Sequence, residues 1–117
     1  MKILQANVNE EKGWYLGRWN SDLPISIGYA NRGVDEPHRN ARITEIYLVG
    51  MGGSRVRVDH ETLALAAGDM LVVEPGEAHT FLESTPDYIH FVIHVPGLAS
   101  EAAAGEMVAV YREELGL

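Results

Sequence analysis

Gly33-Val34-Asp35-Glu36-Pro37-His38-Arg39-Asn40-Ala41-Arg42-Ile43-Thr44-Glu45 is the stretch on which the fold turns. On an extended chain, residues two apart face the same side, so His38 and Asn40 point together and a short turn before Glu45 can bring its carboxylate back beside them. A second stretch, Gly68-Asp69-Met70-Leu71-Val72-Val73-Glu74-Pro75-Gly76-Glu77-Ala78-His79, reads as a strand closed by a Pro-Gly turn that delivers another histidine at the start of the next strand. Either segment alone is weak evidence, because a strand histidine is more often exposed or internally satisfied than a ligand. Together they suggest a metal site.

Working outward, the chain from 25 to 95 is a succession of short β-branched and aromatic runs separated by Gly, Pro, Asp and Asn, at the spacing of an all-β sandwich or barrel. The runs are 25–30, 45–49, 55–59, 62–66, 70–74, 79–83 and 88–95. Arg55-Val56-Arg57-Val58-Asp59 alternates polar with apolar, and Leu63 and Leu65 continue the pattern, which predicts a hairpin with one buried face turning at Asp59-His60-Glu61. His60 is expected to be a turn residue there, since histidine tolerates positive φ better than most side chains. Residues 14–19 read as a further strand whose pairing is open, given Gly13, Gly17 and the turn-forming residues 20–24. After Pro96-Gly97 the character changes: Met107, Val108, Val110, Tyr111 and Leu115 fall near helical spacing in an Ala- and Glu-rich background, predicting a C-terminal helix of about 14 residues. The domain reading is one barrel over 1–97 with a helical tail over 98–117.

A chain of 117 residues makes one domain, too short for a two-domain cofactor enzyme. Its 17 acidic against 9 basic residues give a formal charge of −8, which repels a phosphate backbone, so no nucleic acid is expected. The absence of cysteine removes disulfides, thiolate metal sites and a cysteine nucleophile, and leaves histidine and carboxylate as the strong ligand types. No apolar run is long enough to span a membrane, and the first residues lack a signal-peptide core, so a cytoplasmic protein without membrane association is expected. The glycines at 50–53 do not make a phosphate loop: Arg55 stands where the last glycine would be, and a strand follows rather than a helix. No nucleophile-elbow signature occurs.

The two histidine stretches resemble the cupin superfamily, whose motifs read G-x5-H-x-H-x3,4-E-x6-G and G-x5-P-x-G-x2-H-x3-N. His38, Glu45 and Gly52 fall at the first spacing, and Gly68, Gly76 and His79 at the second; the resemblance covers about 25 to 95. It implies an antiparallel double-stranded β-helix, a jelly-roll barrel with a metal in its lumen. Four positions depart from the pattern. Gly33 is one residue closer to His38 than the motif asks, Asn40 replaces the second histidine, Glu74 precedes Pro75 where the proline should stand, and Glu83 takes the asparagine position. Of these only Asn40 touches the implied ligand set of His38, Asn40, Glu45 and His79. An amide oxygen is a weaker donor than imidazole, so Asn40 is a fourth ligand, an outer support or neither.

The set His38, Glu45 and His79 is a 2-His-1-carboxylate group, which suits Fe(II) but also Mn, Ni or Zn. Its open positions fit oxygenase- or isomerase-type chemistry on a small polar organic molecule; the alternative is a non-catalytic barrel that binds or senses a sugar or an organic acid. By period two Tyr47 and Val49 share the face of Glu45, and Phe81 that of His79, so these are expected to line the cavity. In the last strand Ile89, Phe91, Ile93 and Val95 form a fully apolar face expected to be buried. That points His90 and His94 outward, with a place near the metal kept open for His90 as a substrate contact. Arg42 is read as a surface residue rather than a carboxylate clamp. A homodimer is expected from the resemblance and from Trp14, Tyr15 and Trp19 in an N-terminal strand outside both motifs.

Overall fold

The computed structural model describes residues 1–6, 9–99 and 107–117. Ten strands form in order: β1 Lys12–Leu16, β2 Ser26–Ala30, β3 His38–Asn40, β4 Thr44–Met51, β5 Gly53–Val58, β6 Glu61–Ala66, β7 Met70–Val73, β8 His79–Ser84, β9 Ile89–Val95 and β10 Met107–Ala109, followed by a 3-10 turn at Arg112–Leu115. They pair antiparallel into two five-stranded sheets, β1-β2-β9-β4-β7 and β10-β3-β8-β5-β6. The core lies between the sheets, where Tyr47, Val49, Val56, Leu65, Val73, Phe81 and Tyr88 meet. The all-β barrel expected from the sequence is the observed architecture. Among the described residues no helix is long and apolar enough to cross a membrane.

Alternation explains the β5–β6 hairpin. Val56 is buried between the exposed Arg55 and the half-buried Arg57, and Val58 pairs with Glu61 across a two-residue turn. Asp59 and His60 form that turn, His60 being the turn residue expected, while the left-handed conformation, φ 49°, falls on Asp59. Asp59 is held there by two hydrogen bonds to one residue: its N–H donates to the Ala78 carbonyl (2.7 Å) and its Oδ1 accepts the Ala78 N–H (3.2 Å). The turn is thereby tied to the residue before His79. Between β4 and β5, Gly52 sits at φ 69°, and a Cβ there would come within 2.4 Å of Thr85 Oγ1, so both the backbone and the space require glycine.

The C-terminal segment departs from expectation. Residues 100–106 of the expected helix lie outside the described residues, and the remainder is extended: Met107, Val108 and Ala109 pair with Asn40, Arg39 and His38. Helix propensity loses to tertiary pairing, because β3 is a short strand whose free edge needs hydrogen-bond partners and β-branched Val108 and Val110 suit an extended chain. Leu115, fully buried, anchors the end, and its carbonyl accepts from Arg57 Nε (2.8 Å). The N-terminal strand also stops earlier than read. It ends at Leu16 because Gly17 and Asn20 close a turn, with the Asn20 N–H donating to the Gly17 carbonyl (3.1 Å) and the Gly17 N–H to Asn20 Oδ1 (2.9 Å).

Candidate metal centre and its cavity

Three strands converge to build the centre. β3 and β8 place His38 and His79 directly opposite one another, and β4 brings Glu45 from the other sheet, cross-strand from His94 of β9. The ligand-type atoms of His38, Glu45 and His79 all lie within 4.8 Å of one another, so the group could hold a metal ion. His79 and Glu45 are buried and His38 is partly so.

The hydrogen bonds fix which atoms face inward. A carbonyl only accepts, so His38 Nδ1–H donates to the Glu36 carbonyl (2.6 Å) and His79 Nδ1–H to the Glu77 carbonyl (3.3 Å). In both neutral rings the Nε2 lone pair then points into the site, 3.5 Å and 3.1 Å from Glu45 Oε1. Two lone pairs facing a carboxylate oxygen repel it unless a cation stands between them, and a divalent metal or a proton meets that need. The same geometry explains the titration behaviour. Burial opposes charge on both groups, but with a proton at those Nε2 positions the contacts become hydrogen bonds, and these, with the one from His94, hold Glu45 far below the usual carboxylate range; burial lowers His38 less than the Glu45 and Glu36 oxygens raise it, and its net shift is upward.

Asn40 is buried beside them and turns its amide nitrogen to Glu45 Oε1 (2.5 Å), the only orientation a carboxylate accepts. The other carboxylate oxygen, Oε2, is held from behind by the Tyr47 hydroxyl (2.9 Å) and by His94 Nε2–H (3.0 Å). Glu45 therefore keeps one oxygen toward the histidine pair and one fastened to the wall.

The centre opens into a cavity of about 380 Å³ whose lining includes Trp14, Tyr47, Phe81, His90 and His94, with Lys12 and Glu36 among its polar members. Tyr47 and Phe81 line it as strand parity predicts, while Val49 packs in the core instead. The reading of β9 is reversed. His90 is buried in the lumen and His94 reaches Glu45, whereas Ile89, Phe91 and Ile93 are only half-buried on the outer face and Val95 is exposed. The apolar-face rule fails here because the lumen holds a charged carboxylate that needs donors, so the polar face turns inward. His94 was missed as a support of Glu45; its parity with His90 was the available signal. Trp14 packs edge-on against His94 (5.1 Å between centroids) and Trp19 against Trp14 (6.3 Å), so both tryptophans are engaged within their own barrel. Arg42 is exposed, as read.

No protein-family model matches the chain, and no curated protein matches it in sequence. Solved structures do match. A Streptomyces PAC13 variant with uridine superposes with a TM-score of 0.67 at 17% identity, covering 94% of this chain and 92% of that one. KdgF from Halomonas sp. gives 0.67 at 19% identity, over 85% and 97%. A Cupin 2 conserved barrel domain protein from Salinispora arenicola gives 0.66 at 13%, over 81% and 88%. This is the cupin fold. At such identities the likeness extends to the cupin barrel alone; Pac13 is itself described as a nucleoside dehydratase.

Proposed function

We propose that the chain is a metal-binding small cupin whose His38, Glu45 and His79 hold a divalent transition metal and whose cavity takes a small polar organic molecule for oxygenase- or isomerase-type chemistry. The observation that carries this reading is the pair of imidazole lone pairs aimed at one oxygen of a buried carboxylate. Imidazole and carboxylate serve Fe, Mn, Ni and Zn alike. Bound there, such an ion would supply Lewis-acid polarisation or dioxygen activation. The chain's own residues do the rest. Asn40, Tyr47 and His94 orient Glu45 and keep it ionised, Glu36 and Glu77 carbonyls fix the histidine tautomers, and Tyr47, Phe81 and Trp14 wall the ligand from water. Asn40, with its amide nitrogen on Glu45, acts as a support of the ligand set and not as a fourth ligand.

Elemental analysis of protein purified without chelator tests the site. About one transition metal per chain is expected in the wild type and little in His79→Ala; equal content in both would defeat the proposal. A second reading, a non-catalytic barrel that binds a sugar or an organic acid, is favoured by one feature: Glu45 already has donors from Asn40, Tyr47 and His94 without any ion. Anaerobic reconstitution with Fe(II) followed by oxygen-uptake and isomerisation screens discriminates. Silence with every metal, alongside ligand-induced thermal stabilisation, would select the binding barrel.

We also propose that the protein is a homodimer. With Trp14 and Trp19 engaged internally, the pairing surface is the outer face of β9, β4 and β7. Leu48, Met70, Val72 and Val95 are 37–60% exposed there, beside Ile46, Phe91 and Ile93, and no strand residue on that face is charged. A second copy meets this face without placing like charges in contact, and the −8 of each chain opposes pairing only weakly at physiological salt.

A further inference from the structure

We infer that His90, with its tautomer set by Tyr88, is the specificity-determining residue of the cavity, presenting a neutral N–H donor that demands a hydrogen-bond acceptor on the ligand's end remote from the His38, Glu45 and His79 group. The inference deepens the proposed function and rests on reading this cavity as the ligand site.

Tyr88 is 1% exposed and its hydroxyl lies 2.6 Å from His90 Nδ1. A phenol is a far stronger donor than a neutral imidazole N–H, and an imidazole nitrogen is a strong acceptor, so the short bond runs from Tyr88 O–H to Nδ1. The proton of the neutral ring then sits on Nε2. Burial lowers His90 to about 4, so near neutral pH the ring does not take up a second proton. Nε2 has no hydrogen-bond partner among the described residues, and His90 lines the cavity. Its neighbours are rings, with Tyr47 and Phe81 centroids each 5.0 Å away, and they offer no competing in-plane acceptor at that distance. Tyr47 also contacts His79 (6.0 Å), so it stands between His90 and the ligand-type group. A molecule bound at the histidine pair and lying along Tyr47 brings its other end to His90.

The ligand class follows. A carbonyl, carboxylate or ether oxygen satisfies the N–H, whereas an ammonium or amide N–H there leaves two donors facing one another in a partly dry cavity. Small oxygen-rich rings fit both the aromatic walls and the donor.

Two measurements test this. Ring-nitrogen NMR of ¹⁵N-histidine-labelled protein reports the tautomer directly: a protonated Nε2 and bare Nδ1 are expected for His90 in the wild type, and a tautomer mixture in Tyr88→Phe. Calorimetric titration with uridine and with D-glucuronate reads the donor. At least one compound is expected to bind, with affinity reduced about tenfold in His90→Phe and largely restored in His90→Gln, whose amide keeps a donor near Nε2. An Nδ1-protonated His90, binding of neither compound, or binding indifferent to His90→Phe would overturn the inference. Metal content of the His90 variants should equal the wild type's. If the wild type carries no metal while binding still depends on His90, the metal proposal fails and this one stands.

Discussion

His90, buried in the lumen, and His38, partly buried beside Glu45, each have their own pH window. Folding lowers His90 to about 4, from an ordinary value near 6.5, so the unfolded chain binds more protons between those limits and stability falls as pH drops through the window, by about 3 kcal/mol in all. His38 has the opposite sign. Its folded value is raised, so without metal its contribution is complete below about pH 6.5 and is lost as pH rises through the raised value. Urea denaturation in chelator at pH 4.5 and 6.5 separates them: His90→Gln should flatten the wild-type difference, and an unchanged difference would mean that His90 is solvated in the folded protein. Support of Glu45 is also testable at this scale. Asn40→Ala should weaken metal binding about tenfold or more with the fold retained, as loss of an outer hydrogen bond to a ligand commonly does; unaltered affinity would show that the amide contributes nothing. His38, Glu45 and His79 were legible in the sequence because motif spacing encodes strand register directly. His94 was not, because parity says which residues share a face and not which face turns inward.

Among the elements, β10 and its 3-10 turn do the work that composition assigned to a helix. The segment covers β3, the strand that carries His38 and Asn40, and is clamped to the preceding loop: Arg112 pairs with Asp35 Oδ2 (2.5 Å), whose Oδ1 accepts from Thr80 of β8 (2.9 Å), and Arg39 pairs with Glu114 (2.8 Å). These ion pairs are solvent-exposed and contribute little individually. The buried Leu115 is the stronger anchor, and Leu115→Ala should cost roughly 2–4 kcal/mol in denaturant titrations. A loss below about 0.5 kcal/mol would show the segment to be undocked in solution. The strand was invisible to periodicity because its reason for being extended lies about 70 residues away, in the free edge of β3. The core hairpins were readable because their alternation and turns are local.

For the whole molecule, the barrel wraps a charged, hydrogen-bonded lumen and leaves an uncharged apolar sheet face outside, the reverse of what a half-buried sheet leads one to expect. A second copy covering that face, as proposed, would account for its composition. Light scattering at micromolar concentration should give twice 12.9 kDa, and Leu48→Glu with Val72→Lys should return the monomer mass without unfolding the chain. A wild-type mass near 12.9 kDa would remove the dimer. Dimer or monomer, the lumen chemistry rests on what stands between His38, Glu45 and His79. Anomalous scattering from crystals grown without chelator, recorded either side of each candidate metal's absorption edge, tests that most directly. A single peak about 2.0–2.2 Å from His38 Nε2, Glu45 Oε1 and His79 Nε2 is the predicted result, and featureless anomalous density, with His38 donating a proton directly to Glu45, would contradict it.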